Sequence, residues 1–168
     1  GLVVSDTTGK TPGSSTGSAE RLAFLFRWAR IRRTELASDI SYDRSSVVNT
    51  LLENRESFNN TLLAYQAACE EWEKNKAAGK KKAKPELELP AFLTFIRQPH
   101  CASFEVVPLK KTGKPYEFLL VNAHLLYGTN KHERRWEFDA LIDWLSLRAQ
   151  MRDTAAYENI IMMGDCNL

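Results

Sequence analysis

The sequence predicts a mixed α/β fold, and three observations carry that expectation. The apolar run at Phe118-Leu119-Leu120-Val121 leads to His124, and a second, Asn159 to Met163, leads to Gly164-Asp165-Cys166-Asn167. Continuous apolar runs read as buried strands, and the charged stretch between these two has helical periodicity. Upstream, Phe58, Leu62, Tyr65, Cys69 and Trp72 recur at spacings of four and three, one face of an amphipathic helix. Strands, two helices and a late strand–helix–strand unit together define the class.

The bulk properties are those of one ordinary core. The chain has 168 residues, 43% of them hydrophobic, within the single-domain range. A formal net charge of +2 excludes a global field that would mark a nucleic-acid binder. Cys69, Cys101 and Cys166 are odd in number and widely spaced, which argues against a disulfide framework or a cysteine zinc site. No apolar run approaches the ~20 residues of a membrane span. For want of such a span the chain reads as soluble; Gly1 to Val4 is too short for a signal peptide, and the compartment stays open.

Taken in order, Gly1 to Asp6 reads as a short strand and Thr7 to Ser18, rich in Gly, Ser and Thr, as a surface loop. Glu20 to Arg27 is aromatic and apolar, a buried strand. Trp28 to Tyr42 continues as a strand whose Arg30, Arg32 and Arg33 read as edge protection rather than phosphate contacts. The helix predicted from about Ser57 to Lys76 has Asn59 and Asn60 as caps. It is broken by Ala77 to Pro85, whose Lys80, Lys81, Lys82 and Lys84 read as a solvated linker, with a grip on nucleic-acid backbone as the sharper alternative. Ala91–Arg97 and Ser103–Leu109 look like a strand pair around Arg97-Gln98-Pro99. Lys110 to Pro115 is a turn into the His124 strand, and Lys131 to Arg152 a helix with apolar rows at Phe138, Leu141, Ile142 and Leu145 and at Trp136, Ala140, Trp144 and Leu147.

Val121-Asn122-Ala123-His124, then Glu133-Arg134-Arg135-Trp136-Glu137, then Gly164-Asp165-Cys166-Asn167 resembles, in that order, the endonuclease/exonuclease/phosphatase superfamily around deoxyribonuclease I. Glu20-Arg21-Leu22-Ala23-Phe24-Leu25-Phe26-Arg27 and Arg97-Gln98-Pro99 strengthen the resemblance. It implies a four-layer α/β sandwich of two mainly antiparallel sheets with helices outside. Residues 1–168 would be its central portion, with further sequence on both sides and 57–90 a helical, Lys-rich insertion. The implied activity is divalent-metal-dependent phosphodiester hydrolysis, DNA endonuclease before inositol phosphate or phospholipid hydrolysis. The implied ion is Mg²⁺ or Mn²⁺, with Ca²⁺ as a further structural ion.

The resemblance also implies roles. Asp165 orients or deprotonates the attacking water and is the candidate metal ligand, and Asn167 hydrogen-bonds the scissile phosphate. His124 serves as acid/base or as a phosphate ligand, held in one tautomer by Glu20, and Arg97 contacts a substrate phosphate. These residue types suit the chemistry: hard cations prefer oxygen ligands, and a planar guanidinium gives phosphate two parallel hydrogen bonds. Taken without its neighbours, Glu20 is an exposed glutamate at a strand start, and Arg97 half of a surface ion pair. Cys166 stands where the family has a large residue; a Cys166–His124 nucleophile pair lacks an accompanying oxyanion-hole motif. The reading from another class is a non-catalytic, partner-binding piece, since a metal glutamate and a terminal Asp-His pair are not found in these 168 residues.

Overall fold

The computed structural model describes residues 1–6, 20–42, 44–108, 114–127, 131–151 and 158–167. Within them lie three helices, a four-stranded mixed sheet and a two-stranded sheet. Two compact units divide the chain, one of residues 1–41 with 94–168 and the other of residues 42–93.

The first unit holds every strand. β1 (Leu2–Val4) and β2 (Ala23–Leu25) form an antiparallel ribbon. The larger sheet runs β3 (Ile31–Asp39), β4 (His100–Val106), β5 (Glu117–His124), β6 (Ile160–Asp165). Its first two pairings are antiparallel and the last, β5 with β6, is parallel. A parallel pair needs a long crossover, and α3 (Lys131–Gln150) lies within it.

The core follows from strand alternation. On one face Phe24 of the ribbon meets Ala102, Phe104 and Phe118, with Val3, Phe26, Ile31 and Leu120 packed around them. Phe104 contacts Phe24 edge-on at 5.7 Å and Phe118 in a stack at 5.8 Å. The alternate residues Cys101, Ser103, Leu119, Val121 and Ala123 are also buried, so both faces of β4 and β5 are covered. From α3, Glu137 and Leu141 are buried.

Several expectations need correction. Ala91–Arg97 is not a strand; the region is irregular, and β4 begins at His100, after Pro99. Both edges of β4 are already taken, by β3 and β5, so no third strand can pair with it. β2 is three residues long, with Phe24 buried but Ala23 and Leu25 exposed, because a two-stranded ribbon has only one face on the core. β6 is an edge strand rather than a buried one, and Ile161 and Met163 remain 44% exposed. On α3 only part of the expected apolar stripe is covered, and Ile142 and Leu147 are exposed. The expected surface loop at Thr7–Ser18, most of the turn before β5 and the end of the expected helix at Arg152 lie outside the described residues. Arg32 and Arg33 do sit exposed on an edge strand, with Arg32 3.8 Å from Glu105 on β4.

The second unit is helical. α2 (Arg55–Ala77) matches the predicted helix, and α1 (Arg44–Glu53) precedes it unforeseen. Asn54, not Asn59 or Asn60, stands at the N-cap of α2, and its amide donates backwards to the Thr50 carbonyl at 2.9 Å. The two predicted caps lie a turn inside the helix. Gly79 ends it with φ of 74°, the left-handed conformation favoured there by glycine. The lysine run then folds back: Trp72 Nε1 donates to the Lys82 carbonyl at 2.9 Å, and Lys82 pairs with Glu71 at 2.8 Å. It is thus tethered along α2 although its lysines stay exposed.

Candidate active site

The parallel register of β5 and β6 sets His124 opposite Asp165, at the C-terminal ends of both strands. The shared direction is the physical reason two distant sequence positions finish side by side. Strand ends in α/β sheets are where ligand-binding groups gather.

Gly164-Asp165-Cys166-Asn167 makes a local turn. Asp165 Oδ1 accepts the Asn167 backbone N–H at 3.1 Å, and Asn167 has φ of 49°. Asparagine tolerates this left-handed backbone better than other non-glycine residues. Gly164 has φ of 136°, and a Cβ there would stand 1.8 Å from the Ala123 carbonyl oxygen. Glycine lets β6 approach β5 closely enough for Leu125 N–H to bond the Asp165 carbonyl at 2.9 Å.

His124 Nδ1 lies 2.5 Å from Glu20 Oε2, and the same oxygen is 3.4 Å from Arg97 Nε. Glu20 therefore sits between an imidazole and a guanidinium contributed by segments far apart in sequence. The Arg97 side chain is 11% exposed, and its Nε makes an ion pair without hydrogen-bond geometry. Arg97 Nη1 and Asn167 Nδ2 both donate to the Leu125 carbonyl, at 3.5 and 2.9 Å. That bond uses one of the two hydrogens of the Asn167 amide. All five residues singled out from the sequence thus join one bonded cluster: Glu20, Arg97, His124, Asp165 and Asn167.

Two residues of the Glu133-to-Glu137 motif also belong to the cluster, though no role was assigned to them from sequence. Arg134 Nη1 donates to the Asn167 carbonyl at 2.7 Å. Glu137, 3% exposed, accepts the Ile96 N–H at 2.7 Å through Oε1 and the Leu126 N–H through Oε2. Burial pushes its carboxyl above the usual carboxylate range, against the pull of those two donors and of Arg97 and His124. A charged residue placed on the inward stripe of α3, between Trp136 and Leu141, was the available signal.

A metal finds little here. Among the described residues no group of three His, Cys, Asp or Glu side chains could hold an ion. Glu20 is engaged by His124 and Arg97, which leaves Asp165 as the carboxylate at the strand ends. These residues do not form a cation site by themselves.

Cys166 is half-buried, and burial together with the Asp165 charge pushes its thiol above the ordinary value. Burial takes Cys101 to about 11. An attacking cysteine needs the opposite, a stabilised thiolate. Alkylation at neutral pH, mapped by peptide, should modify Cys166 more slowly than free cysteine and Cys101 slowest of all. Labelling of Cys166 faster than free cysteine would revive the nucleophile reading.

No family model, curated protein or solved structure matches this chain. What the coordinates define is a mixed α/β unit with a polar cluster at the ends of its parallel strand pair. Among the described residues no helix is long and apolar enough to cross a membrane.

Proposed function

We propose that this chain carries the phosphate-handling centre of a phosphodiester hydrolase, with DNA as the substrate, and that it is the central portion of a deoxyribonuclease I-like sandwich. The observation that carries the reading is the meeting of His124, Glu20, Arg97, Asp165 and Asn167 in one bonded cluster. Phosphodiester cleavage needs relief of charge on the non-bridging oxygens, a held water and a proton path to the leaving oxygen. Arg97 supplies a fixed positive charge whose remaining donors suit phosphate oxygens. Asn167 has a second amide hydrogen for the same purpose. Glu20 occupies the Nδ1 side of His124, leaving Nε2 as the ring atom that exchanges a proton with substrate. The exposed Asp165 carboxylate, held by the Asn167 N–H, orients water.

Mg²⁺ binds through one or two carboxylates together with waters and substrate phosphates. On this proposal Asp165 is the carboxylate this chain offers, and the other donors come from groups not among the described residues. The deciding experiment is plasmid nicking by a longer parent protein in Mg²⁺ or Mn²⁺, with the 168-residue chain measured beside it. Nicking should vanish with chelator and in Asp165→Ala and Asn167→Ala, while the 168-residue chain shows negligible turnover. Undiminished nicking by Asp165→Ala would sink the hydrolase assignment at this site, and robust activity of the short chain would overturn the view that essential groups lie elsewhere.

A further inference from the structure

We propose that α3 is the positioning element of this site, Glu137 orienting the peptide that ties Arg97 to Asn167 and Arg134 holding Asn167 itself. The Leu125 carbonyl and the Leu126 N–H belong to one trans peptide unit, so they point in opposite directions. Glu137 takes the N–H on one side, while Arg97 and Asn167 donate to the carbonyl on the other. Holding the N–H therefore aims the carbonyl.

The other oxygen of Glu137 accepts the N–H of Ile96, the residue before Arg97. One carboxylate thus sets both the segment that bears Arg97 and the exit of the strand that bears His124. Arg134 lies three positions earlier on the same helix, within one turn, and reaches the Asn167 carbonyl at 2.7 Å. That bond supports a residue held at φ of 49°.

Stability alone does not account for a carboxylate at position 137. Burying one is costly unless its oxygens are well bonded, and an apolar side chain of similar volume is often as good for the fold. Leu141, one turn on and fully buried, shows the kind of residue this side of the helix otherwise uses. What a carboxylate adds is two diverging acceptors, and both are spent on backbone beside the candidate site. The benefit to phosphate binding rests on the hydrolase reading; the geometric claim does not.

The test compares the 168-residue chain with Glu137→Gln, Arg134→Met and the core control Leu141→Val by ¹⁵N nuclear magnetic resonance and orthophosphate titration. Glutamine keeps the shape but turns one acceptor into a donor facing an N–H. The Arg97 and Asn167 side-chain signals and the His124 ring signals should move in Glu137→Gln, and orthophosphate binding should weaken roughly tenfold. Arg134→Met should move Asn167 and leave His124 in place. Leu141→Val should lower thermal stability without moving the three site signals. Site signals unchanged in Glu137→Gln, or moved equally by Leu141→Val, would overturn the proposal. If Glu137→Gln does not fold, an unmoved Asn167 in Arg134→Met overturns it and a moved one upholds it. Failure of the parent chain to bind orthophosphate would count against the hydrolase reading, while the spectra would still decide the role of α3.

Discussion

Gly164→Ala is expected to lower the stability of this chain by on the order of 3 kcal/mol or more, with the loss centred on the β5–β6 pair. Two effects add at that position. The backbone φ of 136° is one that side-chain-bearing residues rarely adopt, and the new Cβ would lie 1.8 Å from the Ala123 oxygen and 2.8 Å from its carbonyl carbon. Those atoms are backbone in a paired strand, so relief requires β6 to move away from β5. The strand pair that sets His124 opposite Asp165 would open with it. Gly79→Ala provides the contrast: φ is 74°, yet no atom lies within 4 Å of the added Cβ. Its cost should be about 1 kcal/mol, backbone strain alone. Urea unfolding of both variants measures the difference. A loss below about 1 kcal/mol at Gly164 would mean that the close approach of the strands is not maintained in solution.

On the proposed hydrolase reading, His124→Ala is expected to slow plasmid nicking by a longer protein containing this chain by roughly 10²- to 10⁴-fold, the usual contribution of a positioned acid or base. Glu20→Gln should act through the same ring. It leaves an acceptor near Nδ1 but removes the carboxylate that fixes the orientation and tautomer of the ring, so its loss should be smaller than that of His124→Ala. Arg97 is 3.4 Å from the same Glu20 oxygen, so the double variant Glu20→Gln, Arg97→Gln should depart from additivity. Nicking by His124→Ala within threefold of the unmodified protein would remove the histidine from the mechanism.

Much of the fold was legible where local chemistry is strong. The apolar run to His124 and the run to Gly164 became β5 and β6, and the spacing of Phe58, Leu62, Tyr65, Cys69 and Trp72 matched α2. α1 was missed because Arg44–Glu53 has only a weak apolar stripe, and Leu51 and Leu52 stay exposed on it. Ala91–Arg97 misled because aromatic and β-branched residues suit a strand, while pairing depends on a neighbour with an unfilled edge. β6 misled for the converse reason, since an apolar run does not say how many strands will flank it.

The candidate site divides in the same way. Residue types and their order singled out His124, Asp165 and Asn167, and the Gly-Asp-Cys-Asn turn is local enough to be written in four positions. Glu137 and Arg134 were visible as a motif but not as contacts, because their partners are backbone groups at Ile96, Leu126 and Asn167, which carry no side-chain signature. The amino-acid order by itself determined the strand–helix–strand unit and the turn at its end, since periodicity, glycine freedom and the asparagine side chain act over a few residues. Only the tertiary structure decided that Glu20 would reach both His124 and Arg97, that Arg97 and Asn167 would share the Leu125 carbonyl, and that α3 would hold the Leu126 N–H and the Asn167 carbonyl. Those meetings span up to 104 positions of chain and depend on sheet register and helix placement, which no local pattern encodes.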